Sequence, residues 1–63
     1  MHIIHYDIEN NETGTLIDSV ETKTEMLERV ARFEANGSIV RVCAISTDDE
    51  GNYESDVIHV TGE

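Results

Sequence analysis

Apolar positions alternate with polar ones at both ends of the chain and switch to helical spacing in the middle. Residues 2 to 9 carry Ile4, Tyr6 and Ile8 at every second position, the repeat of a pleated strand. Asn10 to Gly14 is a turn segment of residues that tolerate positive φ, and Thr15 to Val20 reads as the returning strand of a hairpin. Thr22-Lys23-Thr24-Glu25 matches a capping box, and Met26, Leu27, Val30 and Phe33 then follow a helical period. Glu25 with Arg29 and Glu28 with Arg32 stand four apart in the favourable order, and Asn36-Gly37 supplies the stop signal.

Beyond the helix, Ser38 to Ser46 is a nearly continuous run of β-formers broken only by Arg41, the pattern of an interior strand. Asp48 to Asn52 turns the chain, and Tyr53 to Val60 returns with Ile58 and Val60 on one face and Val57 and His59 on the other. The pattern predicts a single α+β domain over residues 1 to 63: hairpin, helix, hairpin (ββαββ), with a mostly antiparallel four-stranded sheet and the helix on one face. Two hairpins side by side in a β-grasp-like arrangement is the simplest topology at this length.

One helix of about 14 residues, roughly 21 Å long, covers a single sheet face. If Ile4, Tyr6, Ile8, Leu16, Val20, Ile58 and Val60 face it, the open face keeps Ile3, Ile17 and Val57. The third strand adds either Ile39, Cys43 and Ile45 or Val40, Val42 and Ala44, according to its register. An uncovered apolar face marks an interface, so Ile3, Ile17, Ile39, Ile45 and Val57 are the candidate residues for a homodimer.

Charge changes this picture. The formal net charge is −10, and all four Lys and Arg residues (Lys23, Arg29, Arg32, Arg41) lie between two acidic flanks. A chain of this balance repels nucleic acid and anionic membranes and attracts basic protein surfaces. Along a strand, Asp7 with Glu9 and Glu54 with Asp56 form rows of like charge about 6.6 Å apart. With Asp48, Asp49 and Glu50 they are the candidate partner-binding residues, spaced to mimic the phosphates of DNA in a basic groove of another protein.

Other chemistry finds little support. The Asp48–Glu54 segment alternates oxygen donors, but Gly51 stands at the fourth position rather than the sixth that a calcium loop of the EF-hand kind requires. His2 and His5, three apart, would point to opposite faces of a regular strand, and His59 lies far along the chain. Cys43 sits in an apolar run, where a thiol packs rather than reacts. No phosphate loop, nucleophile elbow or zinc motif occurs. No metal, cofactor or catalytic residue is expected. A lone cysteine and the lack of an apolar span or signal peptide point to a soluble, cytoplasmic protein. The expected function is a small acidic, non-enzymatic protein-binding module, in the form common among phage-encoded and mobile-element inhibitors. The alternative is a self-associating structural or regulatory protein.

Overall fold

The structure, a computed structural model, describes residues 2 to 62. Glu63, the last carboxylate of the C-terminal flank, lies outside them. The elements run β1 (His2–Asn10), β2 (Leu16–Val20), α1 (Lys23–Ala35), β3 (Val40–Thr47) and β4 (Tyr53–Val60). They form one sheet of order β2-β1-β3-β4. Each hairpin pairs internally, and the hairpins join through β1 against β3, so every pairing is antiparallel.

The local signals act as their chemistry requires. The Thr22 hydroxyl accepts the Glu25 backbone N–H at 3.1 Å, which caps the helix, and donates to the Glu25 carboxylate at 3.1 Å, so that Glu25 meets the cap hydroxyl where a full capping box would have it meet the cap N–H. At the other end Gly37 takes φ +84°, and the amides of Asn36, Gly37 and Ser38 bond the last helical carbonyls.

Tyr6, Ile8, Val20, Val40, Val42 and Ala44 meet Met26 and Val30 in one core, with Phe33 packed against it. The sheet registers explain the selection. Residues directly opposite one another share a face, so the rows Ile8–Val42 and Tyr6–Ala44 lie under the helix, while Asp7–Cys43 and His5–Ile45 face away. The third strand thus turns Val40, Val42 and Ala44 inward and leaves Cys43 and Ile45 on the open face. Helix α1 packs across β1, β2 and β3, and its Glu34 carboxylate meets His59 of β4.

Three bulges break the regular alternation on which the facing of residues was predicted. The unpaired residue is Ile4 in the β1–β3 ladder, Ile17 in β1–β2 and Ile58 in β3–β4. Each bulge inverts the parity of the residues beyond it. Leu16 is therefore opposite Glu9 on the open face, and Val60 is opposite Arg41 on that face, not under the helix as expected. Ile3 is opposite buried Ser46 on the helix side rather than on the open face. His2 and His5, opposite Thr47 and Ile45, share the open face that regular alternation would have denied them.

Candidate protein-docking edge

Across β1, β3 and β4, the open face consists of four rows: Glu9–Arg41–Val60, Asp7–Cys43–Val57, His5–Ile45–Ser55 and His2–Thr47–Tyr53. Its β1 side is ionisable and internally satisfied. Arg41 donates to Glu9 through Nε at 3.0 Å and Nη2 at 2.7 Å, and Glu9 holds the guanidinium above its ordinary pKa. Asp7 accepts the Ser19 hydroxyl at 3.1 Å and pairs with His5 at 3.1 Å. Cys43 is buried beneath this layer, its Sγ 3.7 Å from Glu9. The β4 side of the same face is largely apolar, with Val57 56% and Tyr53 73% exposed.

On the helix side, Asp56 is opposite Ala44 and Glu54 is opposite Ser46. Both carboxylates are exposed, and neither has an ion-pair partner among the described residues. The adjoining β3–β4 turn adds three more acids. Asp48 organises it: one carboxylate oxygen accepts the backbone N–H of Glu50 and of Asn52, each at 2.9 Å, and the other accepts the Asn52 side-chain amide at 3.2 Å. Hydrogen bonds led by that from Asn52 hold the Asp48 carboxyl below its ordinary range. Asp49 and Glu50 stand free at the tip of the turn.

The seven predicted acidic residues therefore divide into two groups. Asp48, Asp49, Glu50, Glu54 and Asp56 gather on the β3–β4 hairpin. Asp7 and Glu9 lie on the opposite sheet face and are bonded within it, Asp7 to His5 and Ser19 and Glu9 to Arg41. The two strand rows form no common strip. The predicted apolar set divides likewise: Ile45 and Val57 share the open face and Ile39 immediately precedes β3, whereas Ile3 turns to the helix side and Ile17 sits on the far edge strand.

Comparison with family models, curated proteins and solved structures returns no match for this chain.

One group of interacting residues was not anticipated. The Glu34 carboxylate meets His59 Nε2 at 2.9 Å and accepts the Thr61 hydroxyl at 2.8 Å, while the Thr61 hydroxyl accepts the Val40 N–H at 3.0 Å. These bonds, His59 first, hold the Glu34 carboxyl below its ordinary range. They tie the last helical turn to the end of β4. Nothing in local spacing signals them, because the partners lie 25 and 27 residues apart. The Glu25–Arg29 pair expected along the helix is also replaced, by Arg29 with Asp18 on β2 at 2.8 Å. Among the described residues there is no pocket, no cluster of three or more metal-ligating side chains, and no helix long and apolar enough to cross a membrane.

Proposed function

We propose that this chain is a small, non-enzymatic protein-binding module that docks the acidic β3–β4 hairpin on a basic surface of a larger protein. The observation that carries the reading is the gathering of five carboxylates on one hairpin with no ion-pair partner among the described residues. Arg29 and Arg41 are committed to Asp18 and Glu9, and residues 42 to 62 contain no Lys or Arg. Unpaired charge of one sign draws in a partner of the other over about a Debye length and orients the encounter. A nucleic-acid-binding groove is one such basic surface, and a reducing, cytoplasmic setting suits the single free thiol. The test is capture of partners at low ionic strength and their release by salt, followed by affinity measurement on the purified partner. The E54K/D56K variant should lose most of the binding, and added nucleic acid should compete. Unchanged affinity in that variant would remove the hairpin from the interface.

A second reading, self-association, is favoured by one observation: Val57, Tyr53 and Ile45 make the β3–β4 half of the open face apolar. It predicts a dimer mass by light scattering at low and high salt alike, reverting to monomer in V57D with native circular dichroism. A monomer at both salts is the outcome that the docking reading expects.

A further inference from the structure

We propose that the partner adds an extended strand to the free edge of β4, and that this strand alternates basic and apolar residues. The inference rests on the docking reading above and specifies how that docking is made. Among the described residues, strand β4 closes the sheet on one side and pairs only with β3, so the backbone N–H and C=O groups directed away from β3 are open to another strand. From Tyr53 to Val57 its ladder with β3 is regular, and all five residues are exposed.

The side chains along that stretch specify the guest. Glu54 and Asp56 project on the helix side, and Tyr53, Ser55 and Val57 on the open side. A strand laid beside β4 continues the cross-strand rows. It therefore places two residues, two positions apart, next to Glu54 and Asp56, and the residues between and beside them next to Tyr53, Ser55 and Val57. Cations suit the first pair and apolar side chains suit the rest. The complementary segment reads apolar, basic, apolar, basic, apolar. Helix α1 meets β4 at His59 and leaves Glu54 and Asp56 exposed, so long Lys or Arg side chains have room beside them.

The other edge does not offer this. On β2 the single carboxylate, Asp18, is already paired with Arg29, and the helix packs over the strand. A second copy of this chain is a poor guest as well. Antiparallel self-pairing centred on Ser55 sets Glu54 against Asp56, and pairing centred on either acid sets it against itself. Like charges directly opposite repel, and each copy carries −10 overall.

The experiment uses the full chain and three kinds of short capped peptide. One is Gly-Val-Arg-Val-Arg-Val-Gly; one has the same composition with the two arginines adjacent; and two versions of the first are N-methylated on alternate amides, one in each phase. The expected result at low ionic strength is that the alternating peptide binds at least about tenfold tighter than the permuted one. Amide exchange of Tyr53–Val57 should slow in the complex, and one methylation phase should be tolerated while the other abolishes binding. Equal, salt-sensitive binding of the alternating and permuted peptides, with unchanged β4 exchange, would overturn strand addition and leave acidic docking standing. Binding by neither peptide would overturn strand addition, while the docking reading is decided separately by the E54K/D56K comparison. Slowed β4 exchange in the protein alone, with a dimer mass, would overturn the proposal in favour of a second copy.

Discussion

Asp48 shows how one side chain can serve a turn and a charge pattern at once. Its carboxylate caps the backbone N–H groups of Glu50 and Asn52, and those bonds hold its pKa below the ordinary aspartate value. A group whose folded pKa is depressed lends stability above its unfolded pKa and loses that stability as pH falls through the folded one. D48N should therefore be less stable than the parent at neutral pH, and the difference should shrink as pH falls below the ordinary aspartate range of about 4. D49N is the matched control, removing the same charge from the same acidic turn without touching a turn bond, so it should be neutral or stabilising. Thermal unfolding followed by circular dichroism at several pH values measures all three proteins. Equal behaviour of the two variants would show that Asp48 acts only as one charge among many. Asp48, Asp49 and Glu50 were legible in the sequence as an acidic turn. Which of them was structural was not, because that depends on where Asn52 and the Glu50 amide lie in the folded turn.

Elements were legible because each carries its own punctuation. Asn10–Gly14, the capping box, Asn36-Gly37 and the Asp48–Asn52 turn bound segments whose apolar period is unambiguous, and the predicted strands and helix agree with the observed ones to within two residues at either end. The facing of side chains was legible only between bulges. Ile4, Ile17 and Ile58 look like ordinary strand isoleucines in sequence, yet each is the unpaired residue of a bulge. Leu16, Val60 and Ile3 consequently exchange faces. A bulge is fixed by how two distant segments fit together, and no local pattern encodes it. The helix start, by contrast, is local in origin, and its contribution is testable. Loss of the Thr22 hydroxyl removes both of its bonds to Glu25, so T22A should cost about 1 kcal/mol in urea unfolding, while T22S should retain most of that stability. An unchanged T22A midpoint would mean that packing of Met26 and Val30 alone sets the helix start.

Across the whole molecule, like charges far outnumber opposite ones. Fourteen carboxylates face four Lys and Arg residues within a body of 39 × 23 × 19 Å, and among the described residues the carboxylates outside an ion pair gather mostly on the β3–β4 hairpin. The excess was legible in the composition; which carboxylates are neutralised was not, because Glu9 meets Arg41 across 32 residues and Asp18 meets Arg29 across 11. At about 0.01 M salt the Debye length is about 30 Å, so nearly every pair of charges in the molecule interacts; at about 1 M it is about 3 Å and only bonded pairs remain. Two Arg–carboxylate pairs lose attraction over that range, whereas a far larger number of like-charge pairs lose repulsion. The urea midpoint should therefore rise with sodium chloride. Because salt also strengthens apolar burial, the decisive comparison is E54Q/D56Q, which leaves the core untouched and removes two unpaired charges. Its midpoint should lie above the parent's at low salt and rise less as salt is added. If both proteins respond to salt in parallel, the acidic hairpin carries no repulsive load in the free protein. If the gap closes with salt as expected, the free protein holds electrostatic strain on that hairpin, and a cationic strand bound there would relieve it.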